Sequence, residues 1–316
     1  MRTLPVSLAA GVLLCACNAS SPAPEVEAPE VEAPEVEAPE GPPAAGPMPD
    51  AWVAERVEEA EGRMATSEAG RLLAASIEAH GGLATWLRQG TVQFEFDYRP
   101  LSQPERRMHT RSDVDLWRAR ARQEELPDDE DDGEEATLGW DLERAWITPS
   151  ADAFPSTARF WATTPYYFIG IPFVLADPGA QYERLPDADL DGVAHALVKV
   201  SYASGTGDSP DDYYVIYLHP ETHRVAAIRY IVAFPGFFAP GEHSPEKLMR
   251  YGELAEVDGL WLAHRFDTFR WSEDAGVGER VTEIVAGSYR FGQTFEAAHF
   301  APVDGAVVST EIETRE

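Results

Sequence analysis

Residues 92–98, Val-Gln-Phe-Glu-Phe-Asp-Tyr, place an apolar side chain at every second position. A period of two puts all the apolar side chains on one face, which predicts a half-buried β-strand. Upstream, residues 51–80 repeat apolar side chains at spacings of three and four, with a break near Ser67, and end at Gly81-Gly82. That period predicts helices closed by a left-handed glycine cap. The chain therefore changes from helix to sheet between residues 82 and 92.

Strand-like runs continue through most of the remaining chain. Turn-forming residues separate them, such as Asp191-Gly192, Asp258-Gly259 and the five residues 219–223. Short connections require antiparallel neighbours, because parallel strands need a crossover of a dozen or more residues. We therefore predict an α+β fold built on an antiparallel sheet of about ten strands. The further runs cover residues 108–118, 138–141, 145–148, 181–185, 194–202, 213–219, 225–234, 248–257, 260–270 and 280–291.

Two segments interrupt the strand pattern. Residues 158–176, A-R-F-W-A-T-T-P-Y-Y-F-I-G-I-P-F-V-L-A, are apolar but contain Arg159, Pro165 and Pro172, which argue against a membrane span. We predict two short helices packed into the hollow of the sheet. Residues 124–135 hold nine acids in twelve positions, which indicates a solvated loop. They lack the D-x-D-x-D-G spacing of a calcium loop, so no metal site is predicted there.

Composition excludes several classes of function. Acidic residues outnumber basic ones by 55 to 25, giving a net charge of −30 that repels nucleic-acid phosphates. The only cysteines, Cys15 and Cys17, lie near the start, so the folded part has no disulfide and no thiolate metal site. No P-loop and no dinucleotide-binding fingerprint is present. We predict no nucleic-acid partner and no cofactor, and the protein partners stay unknown.

The first fifty residues are of a different kind and contain no aromatic residue. Residues 1–16 have the charge and apolar run of a signal peptide, and Leu14-Cys15-Ala16-Cys17 resembles the lipobox of bacterial lipoproteins. The resemblance implies acylation of Cys17. Residues 17–50 repeat Pro-Glu-Val-Glu-Ala three times, a composition typical of an extended, disordered tether. We predict one folded domain over 51–316, attached through this tether to a membrane. Well-studied lipoproteins that stay in the inner membrane have Asp after the acylated Cys, whereas this chain has Asn18, so the resemblance favours the outer membrane.

The folded part contains a set of phrases that occur together: His80-Gly81-Gly82 with Trp86, Gly139-Trp140-Asp141 followed by Ala145-Trp146, Tyr166-Tyr167-Phe168, Asp177-Pro178-Gly179, and the segments 207–214, 235–238, 243–251 and 257–260. These phrases are similar to the LolA/LolB-like lipoprotein carrier superfamily, and within it to an uncharacterised group of bacterial envelope lipoproteins. The similarity covers residues 70–292 and implies a curved, unclosed half barrel with helices on its concave face and an apolar cavity between them. It also implies a lipid or lipoprotein acyl chain as ligand.

Large apolar side chains are the candidates for the cavity wall, because apolar ligand surface leaves water at a gain of about 25 cal/mol per Å². The same residues could equally fill an ordinary core. The candidates are Phe94, Phe96, Phe160, Trp161, Tyr166, Tyr167, Phe168, Phe173, Phe234, Phe237 and Phe238.

Two other classes of function stay open. An envelope hydrolase would need a buried polar cluster around His219 or His243. His219 and His223, however, lie at a predicted hairpin turn rather than on one helix face, so neither a metal site nor a catalytic residue is predicted. A structural or protein-interaction module would have a filled core and an exposed patch. We predict a non-enzymatic, membrane-anchored envelope lipoprotein that binds an apolar or amphipathic ligand.

Overall fold

The computed structural model describes residues 44–127, 135–203, 207–209 and 211–310. The predicted signal peptide, Cys17, the repeats of the tether and most of the acidic loop lie outside these residues. Ala45, near the end of the stretch assigned to the tether, pairs with Phe295 through backbone hydrogen bonds of 2.9 and 2.8 Å.

Three helices come first: α1 (Asp50–Met64), α2 (Glu68–Ala79) and α3 (Leu83–Gln89). Ser67 separates the first two, and its hydroxyl accepts a hydrogen bond from the Gly70 N–H at 3.0 Å, which caps α2. Gly81 and Gly82 have φ angles of 113° and 87°. The predicted helices and their glycine stop are thus confirmed.

Fifteen strands are described. They are β1 (Thr91–Pro100), β2 (Met108–Asp115), β3 (Arg120–Glu125), β4 (Thr137–Trp140), β5 (Ala145–Thr148), β6 (Ala180–Leu190), β7 (Val193–Tyr202), β8 (Tyr214–Leu218), β9 (Val225–Tyr230), β10 (Lys247–Gly252), β11 (Ala255–Val257), β12 (Leu260–Leu262), β13 (Arg265–Ser272), β14 (Gly276–Phe291) and β15 (Val307–Ser309).

Thirteen of these strands form one open sheet in the order β15-β5-β4-β3-β2-β1-β14-β13-β10-β9-β8-β7-β6. Each pairing is antiparallel, and the two end strands do not pair with each other. The predicted α+β class and the unclosed antiparallel sheet are confirmed. The strand patterns do not predict β3 or β15, which accounts for the larger number of strands.

Strand β3 corrects the prediction for the acidic segment. Glu124 and Glu125 belong to this strand rather than to a loop. Glu124 pairs with Arg122 at 3.1 Å and also with Arg111 across the sheet. The strand shows no apolar alternation because its fully buried residues include Arg120 and Gln123. Both form hydrogen bonds, Arg120 to Asp115 and Gln123 to the Trp161 carbonyl.

Two predicted strands are each divided in the structure. The run 248–257 breaks at Glu253, whose φ is 52°, and the run 260–270 breaks after Leu262. The pieces between the breaks, β11 and β12, form a separate hairpin whose turn residues, Asp258 and Gly259, both have positive φ. This hairpin is tied to the end of α2, because the Trp261 N–H donates to the His80 carbonyl at 2.8 Å.

The apolar insert forms α4 (Ala158–Gly170) and a 3₁₀ turn, Phe173–Ala176. Two helical segments are therefore confirmed, but Pro165 lies inside α4 instead of ending it. Among the described residues, no helix has both the length and the apolar character needed to cross a membrane.

Contacts of α4 show how strongly the sheet curves. The helix is hydrogen-bonded at Trp161 to Gln123 of β3 and at Tyr167 to Tyr202 of β7. These strands are eight steps apart, which would span about 38 Å in a flat sheet. Trp161 and Tyr167 are only about 9 Å apart along the helix. The sheet must therefore wrap around α4, which lies on its concave face.

Much of the hollow is filled by side chains. Trp86 of α3 stacks on Phe173 with ring centroids 4.7 Å apart, and Phe94 and Phe96 of β1 are fully buried in contact with the rings of Tyr289 and Trp161 respectively. The helices and the 3₁₀ turn thus form a continuous core with the sheet. Among the described residues, an open pocket lies on the other side of α4.

Candidate functional site

A pocket of about 280 Å³ lies between α4 and the strands β7, β8 and β9. Nine of its nineteen lining residues are aromatic. The lining consists of Ala119, Trp140, Arg159, Phe160, Thr163, Thr164, Tyr166, Tyr167, Phe168, Asp177, Tyr202, Gly207, Asp208, Ser209, Asp212, Tyr214, Tyr230, Val232 and Phe234.

One wall of the pocket is a face of α4. Phe160, Thr163, Thr164 and Tyr167 are spaced three and four residues apart, so they lie on the same side of the helix. The opposite side is buried in the core through residues such as Trp161. The helix therefore divides the hollow into a filled half and an open half.

The sheet supplies the other wall through tyrosines. Tyr214 of β8 is the register partner of Tyr230 of β9, so both side chains point to the same face. The ring of Tyr214 stacks between Tyr167 and Tyr230, with centroid distances of 5.7 and 6.3 Å. Tyr202 on β7 completes the wall and meets the Tyr167 hydroxyl at 2.8 Å.

The phenols of this wall stay protonated. Burial raises the pKa of Tyr167, Tyr202 and Tyr214 above the ordinary value of 10.0. They act as neutral hydrogen-bonding groups set in an apolar surface, which suits an amphipathic ligand.

Charged side chains line the pocket as ion pairs. Arg159 donates to Asp208 at 2.6 Å, and its guanidinium lies 3.7 Å from the centre of the Trp140 ring. Asp177 pairs with Arg56 of α1 at 2.8 Å. Each of these carboxylates therefore has an arginine partner.

Asp212 differs from the other two lining carboxylates. One of its oxygens accepts a hydrogen bond from the Ala233 N–H at 2.6 Å, and no Arg or Lys of the described chain forms an ion pair with it. Burial raises the pKa of Asp212 to about 6, in spite of that hydrogen bond. The pocket thus contains one carboxylate whose charge is only partly compensated.

The structure divides the predicted binding residues into three groups. Phe160, Tyr166, Tyr167, Phe168 and Phe234 line the pocket. The loop that follows β9 holds Phe237 and Phe238, and the ring of Phe237 packs on those of Phe160 and Phe234 at 4.8 and 5.3 Å. The remaining candidates are buried in the core and do not reach the pocket: Phe94, Phe96, Trp161 and Phe173.

Sequence reasoning did not select Tyr202, Tyr214 or Tyr230 as binding residues. The alternation in β8 could have indicated that Tyr214 faces inward, because Tyr214, Ile216 and Leu218 share one face and alternate with residues of the other. Only the strand register shows which tyrosines become neighbours.

The histidines of the hydrolase alternative are not brought together into a polar cluster. His219 lies at the turn between β8 and β9, where its Nδ1 accepts from the Glu221 and Thr222 N–H groups at 3.2 and 3.3 Å. His243 is exposed and contacts the carbonyl of Ser244 at 2.7 Å. Within the described ranges, no group of three or more potential ligands could hold a metal ion.

No protein-family model matches this chain, and no curated protein matches it. Several solved structures do match this chain. A LolA superfamily protein from Nitrosomonas europaea is 8% identical, with a TM-score of 0.47 over 75% of this chain and 98% of its own. A DUF1329 family protein from Desulfovibrio piger is 11% identical, with a TM-score of 0.46 over 74% of this chain and 98% of its own.

Proposed function

We propose that this protein binds an amphipathic molecule, such as a lipid or a lipoprotein acyl chain, with its apolar part in the pocket beside α4. The observation that carries the proposal is the pocket itself, an aromatic-walled space of about 280 Å³ next to a filled core. The volume is near the lower limit of roughly 300 Å³ for small-molecule sites. The ligand is therefore one small amphiphile, or one end of a larger lipid.

The pocket walls are braced independently of any ligand. The Tyr167 and Tyr202 hydroxyls join helix to sheet, and the Tyr251 hydroxyl donates to the Phe168 carbonyl at 2.9 Å. Tyr214 is held by stacking on both sides. A preformed pocket gains affinity because the ligand need not order its walls. Covering about 100 Å² of apolar ligand surface would contribute about 2.5 kcal/mol.

Filling the pocket tests this proposal. Thr163→Trp places a large ring in the pocket without removing a core side chain, and Thr66→Trp adds the same bulk at an exposed turn. Both are made in the full-length chain with Cys17→Ala, so that no acyl group is attached at that residue. The neutral fluorophore N-phenylnaphthylamine should bind the parent and Thr66→Trp with the same affinity. It should bind Thr163→Trp about tenfold more weakly. Lipids extracted from the purified chain are identified by mass spectrometry.

Two results would defeat the proposal. A parent chain that purifies empty and ignores the fluorophore has no such ligand site. Equal affinities of Thr163→Trp and Thr66→Trp would place binding elsewhere, provided that both variants unfold at the parent's denaturant midpoint. An exposed apolar patch that captures protein would then favour the interaction-module alternative.

We also propose that the chain is exported and acylated at Cys17, with residues 18–44 as a tether to the outer membrane, since Ala45 already pairs with Phe295 in the folded domain. Fully extended as polyproline II, this tether would reach roughly 80 Å. Such an anchor favours receiving or retaining a lipid over carrying it between membranes. Labelling with an alkyne fatty acid should mark the parent and Cys15→Ala but not Cys17→Ala. Label that persists in Cys17→Ala would contradict the assignment.

A further inference from the structure

Asp212 gives the pocket a polar preference that its aromatic walls alone do not. The carboxylate lines the pocket two residues before Tyr214, and its hydrogen bond from Ala233 occupies one of its two oxygens. A carboxylate can accept at both oxygens, so capacity remains for a donor or a cation.

The charged residues around the pocket favour a ligand with a cationic group. Arg159, the one basic lining residue, is engaged by Asp208 and lies against Trp140, while Asp177 is engaged by Arg56. Asp212 has no such partner in the described chain, and the sequence from 200 to 223 contains no Lys or Arg. An anionic headgroup would meet this carboxylate and would have to displace Asp208 from Arg159.

The aromatic walls act in the same direction. Ring faces carry negative potential, and a cation within about 6 Å of a ring centre is attracted by it. The protein already uses this interaction at the pocket, where Arg159 lies over Trp140. Phe160, Tyr167 and Tyr214 surround the remaining space with further rings.

We propose that the pocket prefers amphiphiles with a cationic end, an ammonium or quaternary ammonium group on an apolar chain, and that Asp212 is the residue that pairs with the charge. This inference rests on the proposed function, since it assumes that the pocket takes an amphiphile. It adds the chemical class of the ligand's polar end.

A set of three probes with the same chain tests the preference: decyltrimethylammonium, decanol and decanoate. Each is titrated calorimetrically into the full-length Cys17→Ala chain below its micelle concentration. The cationic probe should bind roughly tenfold more tightly than decanol, and decanoate should bind most weakly.

Matched variants separate Asp212 from the general negative charge of the protein. Asp212→Asn should abolish the preference for the cation over decanol. Asp211→Asn removes the same charge from the neighbouring exposed residue, which does not line the pocket, and should keep the preference. Equal losses in both variants would mean that net charge alone attracts the probe and would overturn the role of Asp212.

The pH dependence adds an independent readout, because the quaternary ammonium probe does not titrate. Asp211, His243, Tyr167 and Tyr214 are the titratable groups that couple to Asp212. Affinity for the cation should fall as the pH drops through 6, and Asp212→Asn should remove this fall. A fall that persists in Asp212→Asn would show that Asp212 does not cause it and would overturn the role of Asp212.

The probe series also distinguishes the failure of this inference from failure of the proposed function. Tightest binding by decanoate would make Arg159 the polar contact and would overturn the inference while supporting an amphiphile site. Equal affinities for the three probes would mean that the pocket recognises only their alkyl part, and would overturn the inference. If none of the three binds, the proposed function itself fails.

Discussion

The side chain of Gln123 on β3 donates a hydrogen bond to the carbonyl of Trp161 on α4 at 2.7 Å. Trp161 precedes Pro165 by four residues, and proline has no N–H to donate to that carbonyl. The same amide contacts the Ala162 carbonyl at 2.9 Å, and its oxygen accepts from Thr110 at 3.0 Å. Gln123 therefore satisfies the gap that Pro165 leaves in the helix, and it fixes α4 to the sheet.

We expect Gln123→Leu to lower the free energy of unfolding by about 2 kcal/mol or more, because buried carbonyls lose their donor. Urea unfolding measures the change. Gln181→Leu, on the exposed side of β6, should change stability by less than about 0.5 kcal/mol.

A double variant checks the role of the proline. Pro165→Ala returns an N–H to the helix, so Gln123→Leu should cost less in that background than in the parent. An equal cost in both backgrounds would show that Gln123 acts only as a packing residue.

His80 should make stability depend on pH. Its Nδ1 lies 2.7 Å from the Trp261 carbonyl and must donate, so its Nε2 accepts from the Val225 N–H at 3.1 Å. The contact with Val225 requires the neutral ring, because a protonated Nε2 cannot accept a hydrogen bond. Burial lowers the pKa of His80 from 6.5 to about 4. Between these values the unfolded chain binds the proton and the folded chain does not.

Stability should therefore fall as the pH drops from 6.5 towards 4, with His80 contributing up to about 3 kcal/mol. The raised pKa of Asp212 has the opposite sign and offsets part of this loss. Unfolding free energies across this range should show a shallower slope in His80→Gln than in the parent. Identical slopes would mean that His80 is not held neutral.

Gly81 is the glycine whose replacement should cost most at the end of α2. A Cβ there would lie 2.1 Å from the Gly259 carbonyl oxygen, and its φ of 113° disfavours any side chain. We expect Gly81→Ala to destabilise by more than about 2 kcal/mol. Gly62→Ala, within α1 and with open space around the new methyl group, should instead stabilise by up to about 1 kcal/mol. A small effect of Gly81→Ala in thermal unfolding would show that the β11–β12 hairpin can move away.

Strands that bury apolar side chains could be predicted from alternation alone, as β1 shows with Phe94 and Phe96. Strand β3 could not, because it buries Arg120 and Gln123, which are stabilised by hydrogen bonds to the Asp115 carboxylate and to the Trp161 carbonyl. A buried polar residue has no signature in a hydrophobic period, since its burial depends on the group that it meets.

The candidate site shows a similar limit. Alternation identifies Phe94 and Phe96 as inward-facing, but it does not show that Trp161 and Tyr289 fill the space above them. Tyr214 and Tyr230 become a wall through strand register, which depends on pairing across the turn 219–224. The sequence could predict that large aromatic side chains line the site. It could not predict which side of α4 stays open, because that depends on how the helix packs against the sheet.

Photolabelling tests the central claim most directly. The full-length Cys17→Ala chain is irradiated with a diazirine analogue of decanol, and the modified residues are mapped by mass spectrometry. Label should concentrate on Phe160–Phe168 and on residues 212–234, and Thr163→Trp should abolish it while Thr66→Trp does not. Label confined to other surfaces, such as the exposed valines of β15, and unchanged in Thr163→Trp, would show that the pocket beside α4 is not the binding site.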